Sequence, residues 1–245
     1  FSAEFHRHPV LLLMMDVFKN HDKSLFEIFA FSHGPSKEKD PWRNLVKPYF
    51  DDFFDIKNKS TDEILKLCKK LEIDIAINLT GLTANHRTDI FENRVAPIQI
   101  NFLGYPGTSG TNKIDYIIAD KTVIEEEDKK FYSEKVIFLP NSYQPSEKNR
   151  LLSETKFTKK ELNLPEDKFI FCNFNRSYKI TSKIVEIWGD ILKQKEDSII
   201  WLFADNEITK KNLKNEFLKI GINNNRLVFA DPTNHAAHLG RHRLA

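Results

Sequence analysis

Ser60-Thr-Asp-Glu-Ile-Leu-Lys-Leu-Cys-Lys-Lys-Leu71 runs into Ile73-Asp-Ile-Ala-Ile-Asn-Leu79, and the change of rhythm between the two stretches decides the fold. Ser60-Thr-Asp-Glu63 is a helix start of the capping-box type, and Ile64, Leu65, Leu67 and Leu71 follow at helical spacing. Residues 73 to 79 form a near-continuous apolar run, the pattern of a parallel strand buried on both faces. A helix feeding such a strand is half of a βαβ unit.

The same rhythm extends in both directions. Upstream, a helix over Pro9 to Asn20 precedes a strand over Leu25-Phe-Glu-Ile-Phe-Ala-Phe31, and Asp52 to Ile56 is a further short strand. Downstream, Pro97 to Leu103, Tyr116 to Ala119 and Val136 to Leu139 are apolar runs, most of them bounded by Gly, Pro, Asn or Asp. Asn141 to Asp167 turns polar, with a short helical stretch near Lys159 to Leu162, and reads as a linker. Beyond it come strand Phe169 to Phe174, helix Ser182 to Lys195, strand Ser198 to Phe203, helix Glu207 to Ile220 and strand Arg226 to Phe229. The expectation is two α/β lobes, 1–150 and a linker plus second lobe over 151–245, with right-handed βαβ units and a ligand cleft between them.

Composition excludes several classes. The 245 residues are 40% hydrophobic and 29% charged with a formal net charge of +2, too little to argue for a nucleic-acid partner. The longest apolar runs, such as Val10 to Met15, fall far short of the roughly 20 residues a membrane helix needs. Two cysteines, Cys68 and Cys172, are too few for a disulfide scaffold or structural zinc, so a reducing, cytoplasmic setting is expected. The eight histidines form no HxxxH or HExxH set, so no metal site is expected. The chain starts at Phe1 and stops at Ala245 with no targeting signal, which predicts a fragment cut at both ends.

Glycine is scarce, and three of the eight glycines fall in Leu103-Gly-Tyr-Pro-Gly-Thr-Ser-Gly110, directly after an apolar strand. Loops at the carboxyl ends of strands are where open α/β sheets bind ligands, and glycine lets backbone approach a substrate closely. A tight Pro-Gly turn is the plainer alternative. Thr80-Gly-Leu-Thr83 follows the preceding strand in the same way; neither segment fits GxGxxG or GxxxxGK[ST]. Phe171-Cys-Asn-Phe-Asn-Arg-Ser-Tyr-Lys179 passes from strand to polar loop, with Thr181 and Ser182 as helix-cap candidates. Cations and amides at a helix start suit a phosphate group, against a merely solvated Lys179. His8, in a loop before a helix, fits a general base or a sugar contact, against a structural histidine.

Several blocks together resemble the catalytic region of the O-linked N-acetylglucosamine transferase and SPINDLY-like family, glycosyltransferase family 41. They are Phe1-Ser-Ala-Glu-Phe-His-Arg-His-Pro9, Asn78-Leu-Thr-Gly-Leu-Thr83, Ala96-Pro-Ile-Gln99 with Leu103 to Gly110, Asp115-Tyr-Ile-Ile-Ala-Asp120, Tyr132-Ser-Glu-Lys135 and Cys172 to Lys179. The resemblance implies a GT-B fold of two Rossmann-like doubly wound domains, the second incomplete here. It implies inverting, metal-independent transfer of a sugar from a nucleotide donor, UDP-N-acetylglucosamine, to Ser or Thr hydroxyls of intracellular proteins, without a cofactor. Tetratricopeptide repeats are expected upstream.

Carried over by position, the resemblance makes His8 the histidine lining the sugar and acceptor site and Lys179 the lysine contacting the donor diphosphate. Asn175, Arg176 and Tyr178 join Lys179 in donor binding, although Arg176 stands where animal members have a glutamine. Thr80, Gly81, Leu103, Gly104, Tyr105, Pro106, Gly107 and Thr108 become the sugar and acceptor loop. Asp74 replaces a histidine of the animal enzymes, and Ser182 stands where proline is common. Because the family continues past Ala245 into a helix start that grips the nucleotide, the 245-residue chain alone is expected to transfer no sugar and to bind donor no better than roughly millimolar. A nucleotide-sugar epimerase of the same architecture and a catalytically silent nucleotide-sugar-binding fragment are the alternatives.

Overall fold

Among the described residues nine short strands are interleaved with helices, because the apolar runs pair side by side while the amphipathic stretches between them cover their faces. The computed structural model describes residues 1–35, 40–148 and 156–245. They fall into two compact units, Phe1–Asn149 and Arg150–Ala245.

In the first unit the elements run α1 (Pro9–Asn20), β1 (Phe29–Ser32), α2 (Pro41–Val46), β2 (Asp52–Asp55), α3 (Thr61–Lys70), β3 (Ile75–Asn78), α4 (Thr88–Glu92), β4 (Ile98–Phe102), β5 (Tyr116–Ala119) and β6 (Lys135–Phe138). β1 pairs with β2, and β3-β4-β5-β6 form a second sheet; every pairing is parallel. Phe1 and Ser2 bridge the two. Ser2 N donates to Phe31 O at 3.0 Å and Leu79 N to Phe1 O at 3.0 Å, so the dipeptide lies between β1 and β3. The Phe1 ring stacks on Phe31 with centroids 4.5 Å apart.

α3 is built as its sequence dictates. Ser60 Oγ accepts from Glu63 N, and the Glu63 carboxylate accepts from Ser60 N, closing the capping box. Ile64 and Cys68 then sit in the core with Ala76, Ile90 and Phe91. Burial pushes the Cys68 thiol up to about 11, so it is an inert core group.

The second unit runs β7 (Phe169–Asn173), α5 (Ser182–Gln194), β8 (Ser198–Phe203), α6 (Glu207–Lys219), β9 (Leu227–Ala230) and α7 (His235–Arg241), with its strands parallel in the order β7-β8-β9. Central β8 is buried on both faces: Ile200 and Leu202 pack with Val185, Leu192 and Phe217, while Ile199 and Trp201 pack with Leu164 and Ile170. The α/β class and the parallel sheets are those the sequence predicts.

Three local expectations need correction. The strand expected from Leu25 begins only at Phe29, and Leu25 and Phe26 are exposed. Asp22 is the reason, since its carboxylate accepts from Ser24 N at 2.9 Å and its carbonyl from Leu25 N and Phe26 N, a turn that satisfies the backbone locally. Burial on both faces fails for the β3 to β6 sheet. Ala76, Gln99, Asn101 and Ile117 point into the core, but Ile75, Ile77, Ile98 and Ile137 on the other face are 38 to 48% exposed. The flanks of the expected linker are docked rather than free: Tyr143 N donates to Asp120 Oδ2 at 2.7 Å, and Leu164 is buried in the second unit. Its middle, residues 149–155, lies outside the described residues.

His33, at the end of β1, is 6% exposed, and its Nδ1 lies 3.1 Å from Asn85 O. Burial lowers its pKa from 6.5 to about 4. The unfolded histidine takes up a proton that the folded one refuses, so this contribution to stability is complete above pH 6.5 and is lost as pH falls toward 4. Urea titrations across that window are expected to show stability falling with acid, and His33→Gln to remove up to one proton from the slope. An unchanged slope refutes the assignment.

Candidate functional site

The first group of candidate residues gathers at the carboxyl ends of the first unit's strands. Asn78 ends β3, and its side-chain oxygen accepts from Thr80 N and Gly81 N, both at 3.1 Å, turning the chain back on itself. Thr80 is fully buried. Its hydroxyl accepts from Ala3 N at 2.9 Å and donates to Glu4 Oε2 at 2.7 Å, so Thr80 acts on the loop's shape and not on a ligand. Ser2 Oγ donates to the same Glu4 oxygen at 2.9 Å. Thr80 and Glu4 thus tie the segment that leads to His8 to the loop after β3.

His8 is the N-cap of α1, with Nδ1 accepting from Val10 N at 3.3 Å. Burial lowers its pKa, opposed by the Glu4 carboxylate and aided by His6, so the ring is neutral at physiological pH. With Nδ1 used as an acceptor, the hydrogen of that neutral ring sits on Nε2, which makes it a donor. The arrangement suits a hydrogen bond to a sugar or acceptor oxygen better than proton abstraction through Nε2.

The loop after β4 packs on the loop after β3. Leu103 takes a φ of +71° while its side chain stays in the core, a backbone strain carried by a non-glycine residue. At Gly104 a Cβ would stand 2.1 Å from Leu79 O, and at Gly81, where φ is +60°, it would meet Tyr105 Cβ at 2.5 Å. Glycine is required at both positions because the two loops touch through backbone. Gly107 lies against the Tyr105 ring, and the Pro106 carbonyl accepts from Tyr132 Oη at 3.0 Å. Thr108 Oγ1 donates to Glu134 Oε2 at 2.7 Å. The structure therefore brings His8, Thr80, Gly81 and Leu103 to Thr108 into one neighbourhood of the first unit.

The second group lies in the turn after β7. Asn173 Oδ1 accepts from Asn175 N at 3.1 Å, and the chain then enters a 3-10 turn over Ser177–Lys179. Thr181 Oγ1 caps α5 by accepting from Ile184 N, with Ser182 as the first helical residue. Arg176 is paired with Asp205, beyond the carboxyl end of β8, at 3.3 Å, and Ser177 Oγ donates to the same carboxylate at 2.6 Å. The Ser177 hydrogen bond, assisted by Arg176, holds the Asp205 carboxyl below its usual range. Tyr178 is 81% exposed. Lys179 is exposed, and its ammonium has no partner among the described residues.

Beside this turn a cluster escaped sequence reasoning. Arg241 is buried, with its guanidinium 4.5 Å from the Phe174 ring centroid and 5.6 Å from that of Trp201. It donates to Asp231 O at 2.7 Å and meets His238 Nδ1 at 2.8 Å. Burial, then the positive charge of Arg241, lowers the His238 pKa to about 4. The sequence signal was faint: two histidines and an arginine spread through a short helix without a metal-ligand spacing. Among the described residues no group of three or more His, Cys, Asp or Glu is placed to hold a metal, and no helix is long and apolar enough to cross a membrane.

The profile of glycosyl transferase family 41 matches residues 1–159 and 145–245. A probable UDP-N-acetylglucosamine–peptide N-acetylglucosaminyltransferase SEC from Arabidopsis thaliana is 32% identical over 249 residues, covering 100% of this chain and 25% of that protein. A probable SPINDLY enzyme of the same printed activity, also from Arabidopsis thaliana, is 27% identical over 78% of this chain and 21% of its own length. The UDP-N-acetylglucosamine–peptide N-acetylglucosaminyltransferase of Caenorhabditis elegans is 21% identical over 100% of this chain and 31% of its own. This chain thus spans between a fifth and a third of these relatives. Among solved structures, a point mutant of Thermobaculum terrenum O-GlcNAc transferase superposes with a TM-score of 0.81 over 96% of this chain and 44% of its own, at 22% identity. That likeness establishes the fold, the GT-B type the sequence implies.

Proposed function

This chain belongs to glycosyl transferase family 41, and from that premise we propose that the whole protein transfers N-acetylglucosamine from UDP-N-acetylglucosamine to Ser or Thr hydroxyls of proteins. The observation that carries the reading is the family match along the entire chain, and the relatives' printed activity supplies donor and acceptor class. None of the relatives named above is an epimerase, so that alternative has no support.

The chemistry of the residues fits the roles. Glycosyl transfer leaves negative charge on the departing diphosphate, and Lys179 is a cation in the turn after β7 with no partner among the described residues. Asn175, Arg176 and Tyr178 contribute to holding the nucleotide, with Arg176 held by Asp205. His8 offers an Nε2 hydrogen to a sugar or acceptor oxygen, and the Leu103 to Thr108 loop shapes the place where that sugar lies. The reading takes the transfer as inverting and metal-independent, the protein as cytoplasmic, and tetratricopeptide repeats as lying ahead of this region in the whole protein.

The test is incubation of the whole protein with radiolabelled UDP-N-acetylglucosamine and a serine-containing peptide. Label on the peptide, lost when that serine is replaced by alanine and matched mole for mole by UDP, is the expected result. Conversion of the donor sugar without an acceptor would restore the epimerase, and donor binding without turnover would leave only a binding module.

A further inference from the structure

The carboxylate of Glu134 lies just before β6, 4% exposed, with every acceptor position taken. Its Oε1 accepts from Asn101 Nδ2 at 3.1 Å, from Ser109 N at 2.7 Å and from Ser109 Oγ. Its Oε2 accepts from Thr108 Oγ1 at 2.7 Å and from Ser133 Oγ at 3.1 Å. Five donors saturate the roughly four lone-pair sites of a carboxylate, so this group has no capacity left for substrate or for proton transfer. A buried carboxylate is costly unless hydrogen-bonded, and here the compensating donors come mostly from one loop.

That loop is the one after β4. Thr108 Oγ1 also accepts from Gly110 N at 3.1 Å and from Ser133 N at 3.2 Å, while Tyr132 Oη holds the Pro106 carbonyl. Residues 132 to 134 thus grip 106 to 110 at side chain and backbone alike. Asn101, at the end of β4, ties the same carboxylate to the strand.

We infer that Glu134 is a positioning residue for glycosyl transfer, fixing the Gly104 to Ser109 backbone at the height where sugar and acceptor meet; this rests on the function proposed above. Burial opposes ionisation of Glu134, but the Ser109 and Thr108 hydrogen bonds outweigh it and hold the carboxyl below its usual range, so the anchor is charged at neutral pH. Glutamine in its place turns one end of the acceptor into a donor facing other donors. Aspartate keeps the charge but is one methylene too short to reach both loop residues and Asn101.

The experiment compares Glu134→Gln, Glu134→Asp and Ile64→Val in the whole protein, since Ile64 lies buried in a core cluster that includes neither the loop nor residues 132 to 134. Loss of folded fraction lowers apparent kcat and leaves KM unchanged, whereas a displaced loop changes KM. Glu134→Gln is expected to raise acceptor KM about tenfold, to leave the Kd for free UDP unchanged, and to speed hydrogen exchange of amides 104–110 about tenfold. Glu134→Asp returns part of both losses, and Ile64→Val leaves both at wild-type values. Ser133→Ala, which removes one donor from the carboxylate, gives the same changes at about threefold and covers a Glu134→Gln that does not fold. A wild-type acceptor KM in Glu134→Gln and Ser133→Ala, or loop exchange that rises equally in Ile64→Val, overturns the proposal. If the wild-type protein transfers no sugar, the functional reading falls, and the exchange measurement alone decides whether Glu134 anchors the loop.

Discussion

Replacing Lys179 by alanine is expected to slow sugar transfer by the whole protein by at least a hundredfold while leaving its unfolding transition where it was. The two halves of that result come from one observation. The ammonium is exposed and has no partner among the described residues, so deleting it breaks no structural contact. An exposed lysine without a partner contributes within about 0.5 kcal/mol to stability. A cation placed against charge that develops on a leaving group is worth about 3 kcal/mol of transition-state stabilisation, or a little over a hundredfold in rate. Single-turnover kinetics with saturating donor isolate the chemical step. Lys179→Arg is expected to recover only part of the rate, because the planar guanidinium cannot take the position of a compact ammonium. A single-turnover rate for Lys179→Ala within threefold of wild type would return Lys179 to the solvated surface.

The order of strands and helices was legible because period is a collective signal: α3 carries its cap, its apolar stripe and its exit into β3 within twenty residues. Short elements gave less. α2 begins with Asp40 accepting from Trp42 N and with Pro41 at the first position, a start signal that six helical residues do not reinforce. α4 has no side-chain cap at Arg87 and leaves nothing to read. The misplaced start of β1 has a different origin, since Leu25 and Phe26 have strand composition but the Asp22 turn claims their amides first. Local hydrogen bonding overrode propensity there.

At the site, glycines were legible and their supports were not. Gly81, Gly104 and Gly107 announce close approach in the sequence itself, whereas Asn78, Glu134 and Asp205 look like ordinary polar residues until the fold sets them beside their partners. Glu134 is 25 residues from Ser109 and Asp205 is 29 from Arg176. No periodicity links such pairs. The nearest clue was Tyr132-Ser-Glu-Lys135, one of the blocks of the family resemblance, whose glutamate is buried. Thr80 shows the reverse: its place in a loop after a strand points to ligand contact, but its hydroxyl is spent on Ala3 and Glu4.

Gly104→Ala is expected to destabilise the first unit by about 3 kcal/mol, because the added methyl has nowhere to go. Its carbon would lie 2.1 Å from Leu79 O and 3.0 Å from both Leu79 C and Thr80 O, all backbone atoms. Side chains yield to overpacking by changing rotamer, and even then the cost is typically about 1 to 3 kcal/mol. Here relief requires the loop after β3 to separate from the loop after β4, and the Leu79 side chain is itself buried in the core. Gly110→Ala separates this steric effect from conformational cost. At Gly110 φ is +71° and nothing lies within 4 Å of the added carbon, so only the left-handed backbone is penalised, by about 1 kcal/mol. Urea denaturation should therefore rank Gly104→Ala well below Gly110→Ala, and Gly110→Ala modestly below wild type. Transfer activity of Gly104→Ala should fall further than its loss of folded protein explains only if the two loops form the sugar site. Gly104→Ala moves both loops and is expected to lose activity even where it remains folded, whereas Gly110→Ala, outside the close contact, should keep most of it. Equal stability of the two variants would mean that the loops after β3 and β4 do not approach one another through Gly104, and the packing argued for the site would be wrong.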